Sequence, residues 1–156
     1  MEVAFIQPHK GDVKDAKWVE SIEILFVDCC KDLNTNDAVA RKYYPYLVPG
    51  LSMIIQQDYL HFQHPWLVAT IEGLDPRVKA VAYTAENSMI FACHDTITLR
   101  DVEAAIGMTK QPGKLIELIG RAQDRFEDPR VKHYLAAHIT ALRKMPSAQS
   151  SWDLQL

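Results

Sequence analysis

Val78-Lys79-Ala80-Val81-Ala82-Tyr83-Thr84 and Met89-Ile90-Phe91-Ala92-Cys93-His94-Asp95-Thr96-Ile97-Thr98, joined across the turn-like Glu86-Asn87-Ser88, decide the fold class. Both runs are dense in β-branched and aromatic residues, which suit a pleated, half-buried surface. Read as strands, they make a small β-hairpin near 78–97. The competing reading begins a helix at Asp75-Pro76 and carries it over 76–86, since Asp caps well and Pro suits a first turn. We take the hairpin, and the chain is then α-rich α+β.

Towards the C-terminus the helical signals are regular. Thr98-Leu99-Arg100-Asp101 has the form of a capping box, and Gly107 reads as the stop of a short helix. Pro112 opens a helix that runs towards Phe126, and Asp128-Pro129 opens another that ends before Pro146. Towards the N-terminus, Pro65 starts a helix ending near Gly73, and Leu51, Ile54, Ile55 and Tyr59 are spaced for a helix over 51–62. Pro45 and Pro49 break Lys42–Gly50, after a short helix capped by Thr35. Asp12 is expected to cap a long helix in which Trp18, Ile22, Leu25, Cys29 and Leu33 form an apolar stripe, and Met1–Ile6 reads as extended, a candidate edge strand. The expectation is a single compact domain over 1–146, of about six helices with the small hairpin, and a loose tail over 147–156 in which Trp152 and Leu154 are able to dock.

Composition excludes several classes. The chain has 156 residues, 48% apolar and 24% charged, with a formal net charge of −3, so it can bury a core and is not a disordered polymer. It has no apolar run of about 18 residues, which argues against a membrane span. Three cysteines, two of them adjacent at Cys29-Cys30, argue for reduced thiols. The start Met1–Pro8 lacks a leader's basic and apolar regions, so a cytoplasmic location is expected.

Asp-Pro-Arg-Val-Lys occurs at 75–79 and again at 128–132. The identity stops there, so two separate helix starts explain it better than stacked repeats. Residues 98–126 have the outline of a helix-turn-helix around Gly107. Glu103, the Pro112-Gly113 break and the apolar Leu115, Ile116, Leu118 and Ile119 oppose that reading. Charge supports it, with 8 cations against 13 anions over 1–97 but 9 against 6 over 98–145. Lys110, Lys114, Arg121 and Arg125 would then contact phosphates.

His61, His64, Cys93, His94 and Asp95 are metal-ligand types, but they lack a ligand spacing, and neither a metal nor a cofactor is expected. Cys93-His94-Asp95 is the candidate catalytic cluster, although neighbours on a strand point to opposite faces. Tyr43, Tyr44 and Tyr46 on proline-broken backbone, with Trp66, are the candidate anchors for a macromolecular partner. The leading expectation is a cytosolic, non-enzymatic accessory protein that docks to a protein partner. The alternatives are a nucleic-acid-binding regulator using 98–126 and an enzyme with its site near Cys93-His94-Asp95. The Trp18–Cys29 stripe would also suit a homodimer.

Overall fold

Four apolar residues in succession, Ile24-Leu25-Phe26-Val27, lie between Glu23 and Asp28 and form strand β1 (Ile24–Val27). A computed structural model describes residues 6–84 and 87–155. After β1, Asp32 accepts a hydrogen bond from the Thr35 amide and starts helix α1 (Leu33–Tyr43). A 3-10 turn at Tyr44–Tyr46 contains Pro45, and the chain then enters β2 (Met53–Gln56). β2 runs parallel to β1, with Ile24 opposite Met53 and Val27 opposite Gln56, so α1 is the crossover that a parallel pair requires. Next come α2 (Pro65–Gly73), β3 (Val78–Tyr83), β4 (Met89–Cys93), α3 (Leu99–Thr109), α4 (Pro112–Arg125) and α5 (Pro129–Lys144). The sheet order is β1-β2-β4-β3, with β4 antiparallel to both β2 and β3. The result is one α+β unit with five α-helices and four strands among the described residues.

Strand alternation divides the sheet into two unequal faces. Val27, Ile54, Phe91, Met89, Cys93 and Val78 are buried in the core, and Tyr59 packs edge-on against Phe91 at 5.0 Å between ring centroids. The residues that alternate with them are Ile24, Phe26, Met53, Ile55, Ile90 and Ala92. Of these Ile24 is 60% exposed, Phe26 59% and Met53 39%. Among the described residues, the helical layer therefore covers one face of the sheet and leaves the other bare and largely apolar.

The hairpin reading is correct in kind, although β4 ends at Cys93 rather than at 97. Glu86 of its expected turn lies outside the described residues, as does Met1–Phe5 of the proposed edge strand. Two expected helices are strands. The stripe from Trp18 to Leu33 contains the run Ile24–Val27, and the Leu51–Phe62 spacing contains Met53-Ile54-Ile55. Short apolar runs fit either period, and pairing between segments decides. Asp12 does cap, but only the 3-10 turn Val13–Asp15, and Trp18 and Val19 remain exposed. Gly107 does not stop α3, which continues to Thr109 with Gly107 on its exposed side. The two Asp-Pro-Arg-Val-Lys copies diverge as well: the first leads into β3, and the second begins α5.

The C-terminal segment is anchored rather than loose. The Leu33 amide donates to the Gln149 carbonyl at 2.8 Å, and the Ser151 amide donates to the Lys31 carbonyl at 3.0 Å. Leu154 is buried and its carbonyl accepts from Gln63 Nε2 at 3.0 Å, while Trp152 stays exposed. Helices α2 and α3 cross where Gly73 has no side chain: a Cβ there would lie 2.8 Å from Ala105 Cβ. Gly73→Ala is expected to destabilise the fold by about 1–3 kcal/mol through overpacking. Gly107→Ala, which meets open space in a helix interior, should stabilise by up to about 1 kcal/mol. Urea denaturation of the two variants checks both signs.

Candidate functional site

Parallel pairing brings the carboxyl ends of β1 and β2 to the same edge of the sheet, where open α/β sheets bind ligands. β1 ends in Val27 and leads into Asp28-Cys29-Cys30-Lys31, and β2 ends in Gln56 and leads into Gln57-Asp58-Tyr59. Lys31 Nζ bridges the two loops, donating to Asp28 Oδ1 at 3.3 Å and to Asp58 Oδ2. Burial works against its charge, but the bonds to Asp58 and Asp28 outweigh that and hold the Lys31 pKa above its ordinary value.

Asp58 is the turning point of this site. Its φ of 58° lies in the left-handed region, which Asp tolerates better than most side chains, and it lets the chain reverse after β2. The reversal continues through His61, whose amide donates to the Asp58 carbonyl, and His64, whose amide donates to the His61 carbonyl. The two imidazoles stand 5.3 Å apart. Neither ring nitrogen of the buried His64 has a hydrogen-bond partner in the protein, and burial pushes its pKa down to about 4. Below it the Trp66 indole donates to the Cys30 carbonyl at 2.9 Å, fixing the loop after β1 from inside the core.

The adjacent cysteines differ. Cys29 is exposed, and interaction with the Cys30 thiol lowers its pKa; the same contact and burial raise that of Cys30. The two loops thus gather a lysine, two carboxylates and an accessible thiol. Among the described residues, no group of three or more His, Cys, Asp or Glu side chains is arranged to hold a metal ion.

The residues singled out in the sequence are dispersed. Tyr44 and Trp66 are buried, because their rings fill the core under the helical layer, and they have no surface to offer a partner. Tyr43 and Tyr46 keep part of theirs; Tyr43 lies 6.1 Å from Trp18. Around Tyr43 the segment from His9 to Trp18 encloses a shallow cavity of about 440 Å³. Cys93 Sγ donates to the Asp95 carbonyl, burial raises its pKa, and His94 points to solvent, so these three do not converge. Each candidate phosphate contact meets a carboxylate. Lys110 pairs with buried Asp37 at 3.1 Å, Lys114 with Glu117 at 2.7 Å, and Arg125 with buried Glu72 at 3.0 Å and with Asp75 at 3.2 Å. Arg121 is 4.0 Å from Asp75.

The Asp28–Lys31–Asp58 cluster is not legible in the sequence because Asp58 lies 27 residues beyond Lys31 and the three form no motif. The usable signal was the apolar run ending in Asp28, read as a parallel strand. Among the described residues, no helix is long and apolar enough to cross a membrane. Compared with protein families, curated proteins and solved structures, the chain matches none.

Two outcomes follow. Iodoacetamide should alkylate Cys29 in the folded protein while Cys30 and Cys93 react only after unfolding, as mass mapping of the modified peptides would read; equal labelling of all three would contradict the geometry. Glu72 carries a pKa raised to about 7, chiefly by burial and only partly countered by Arg125. In that case the folded state holds a proton that the unfolded state releases between the usual carboxylate range and pH 7. The stability it contributes is full at low pH and is lost as pH rises through 7. Glu72→Gln should therefore gain stability relative to the parent between pH 5 and pH 8, measured by urea denaturation; a difference that stays flat with pH contradicts it.

Proposed function

We propose that this protein is a non-enzymatic accessory factor that works by docking to another polypeptide in the cytoplasm. The observation that carries this reading is the bare face of the sheet, where Ile24, Phe26 and Met53 stand exposed side by side on neighbouring strands. Apolar side chains clustered on a flat, regular surface mark interaction sites in monomeric proteins. The docking residues are thus Ile24, Phe26 and Met53, with Tyr43 and Tyr46 on a separate aromatic surface. The reduced thiols of Cys29, Cys30 and Cys93 support the cytoplasmic placement.

A second reading has its own observation. Lys31, Asp28, Asp58 and Cys29 converge at the carboxyl ends of parallel strands, which supports recognition of a small polar ligand there and, with it, an enzymatic role.

Docking is tested with a photoreactive benzophenone side chain placed at position 26, and at the exposed position 132 on α5 as a control. The expected result is one discrete polypeptide adduct from position 26, competed by excess parent chain but not by excess Phe26→Glu chain. No adduct from 26, or an equal one from 132, overturns the reading.

A further inference from the structure

Three imidazoles gather at the loop that follows β2. His61 and His64 stand 5.3 Å apart between ring centroids on that loop. His138 joins them from α5, where it is fully buried and feels the charge of both. Both ring nitrogens of His64, both of His138 and Nδ1 of His61 are buried without a hydrogen-bond partner among the described residues. Protein interiors leave few polar atoms unpaired, and here five belong to one cluster. Among the described residues these rings are not arranged to share a metal ion.

The surroundings keep the rings neutral. The Trp66 indole stands edge-on to His64 at 5.9 Å, and the Phe62 ring stacks on His61 at 5.2 Å. Near His64, Asp58 and Asp28 favour a proton, but Lys31 engages both carboxylates and, with His61, opposes one. Burial outweighs all of these charges. His138 is opposed by His64 and His61, and the Tyr59 and Phe62 carbonyls approach it without the alignment of a full hydrogen bond. Burial therefore pushes the His138 pKa down to about 3. The charges on neighbouring segments are occupied. Arg125 of α4 holds Glu72 and Asp75, and Asp153 of the C-terminal segment accepts from the Gln149 and Ser150 amides.

The cluster lies where several parts of the fold are fastened. Asp58, at the head of the loop, bonds Lys31. Gln63 within it donates to the Leu154 carbonyl at 3.0 Å, and Trp66 after it donates to the Cys30 carbonyl at 2.9 Å. Above the ordinary histidine value of 6.5, the closed and the opened loop hold the same protons on His64 and His138. Below it the opened loop takes up protons that the closed loop excludes, so closure weakens as pH falls from 6.5 towards 4. We propose that His61, His64 and His138 form an acid-operated latch. Neutral, they hold the loop after β2 against α5; protonated, they repel one another and release the loop together with the C-terminal segment bonded to it through Gln63.

The test is hydrogen–deuterium exchange of the full chain at pH 7.5 and pH 5, corrected for the intrinsic pH dependence of exchange. The Leu60, His61 and His64 amides are hydrogen-bonded in the closed loop. They are expected to open at least about tenfold more often at pH 5, while β2 and β4 keep their protection. His138→Phe supplies a ring that takes no proton and should remove most of that rise; His138→Gln is the second variant if phenylalanine does not pack. The parent chain gives a readout that needs no variant. By proton NMR, the His64 and His138 rings should still be neutral at pH 6, where an ordinary exposed histidine is largely charged. The latch is overturned by any of four results: no excess opening at pH 5, opening that spreads equally through β2 and β4, rings already charged at pH 6, or an undiminished rise in a folded His138 variant.

Discussion

The parallel pairing of β1 with β2 is the constraint on which the rest of the molecule depends. A parallel pair cannot close through a tight turn, so α1 has to cross over one face, and the later helices pack on that same side. The pairing brings Asp28 and Asp58 to one edge, where Lys31 joins them. Among the described residues it also leaves the outer side of β1 without a neighbouring strand. The polar cluster and the open edge are two consequences of one pairing.

Support for that pairing comes from beneath and from far along the chain. The Trp66 indole holds the Cys30 carbonyl from the core, and Gln149 and Ser151 hold the backbone at Lys31 and Leu33 from outside. Ion pairs fasten the helical layer over the same core: Arg125 reaches buried Glu72, and Lys110 reaches buried Asp37. A buried carboxylate that loses its cation is far more costly than the pair is favourable, so these contacts specify where α4 and its preceding loop sit. The cations that made the C-terminal half look suited to phosphate are largely engaged in this work.

The bare face and the polar cluster make different demands. Apolar exposure on a regular sheet is a liability unless something covers it, and β1 lacks the charged residue and the broken register that protect β3. The loops after β1 and β2 instead pair the charges of Lys31, Asp28 and Asp58 internally, while the His64 ring nitrogens, His61 Nδ1 and the Tyr59 hydroxyl are buried polar atoms with no partner in the protein. The proposed docking therefore relies on surface that the fold fails to cover, and the alternative proposal of ligand recognition relies on groups that the fold brings together.

Where local chemistry suffices, the sequence by itself determined the element. Pro65, the Thr98–Asp101 capping box, Pro112 and Asp128-Pro129 start helices because satisfying a helix N-terminus needs only nearby residues. The hairpin was legible because its strands are joined by a short connection. The tertiary structure alone decided that Ile24–Val27 and Met53–Gln56 are strands, since the periodic spacing of a short apolar run is ambiguous and the partner strand is some thirty residues away along the chain. Asp-Pro-Arg-Val-Lys shows the same limit: one copy enters a strand and the other a helix, although the five residues are identical. Tyr44 and Trp66 could not be separated from Tyr43 and Tyr46 beforehand, because burial depends on what the rest of the chain places on top of them. The Asp28–Lys31–Asp58 cluster exists for the same reason: only the parallel pairing brings Asp58, 27 residues further along the chain, to the loop that holds Asp28 and Lys31.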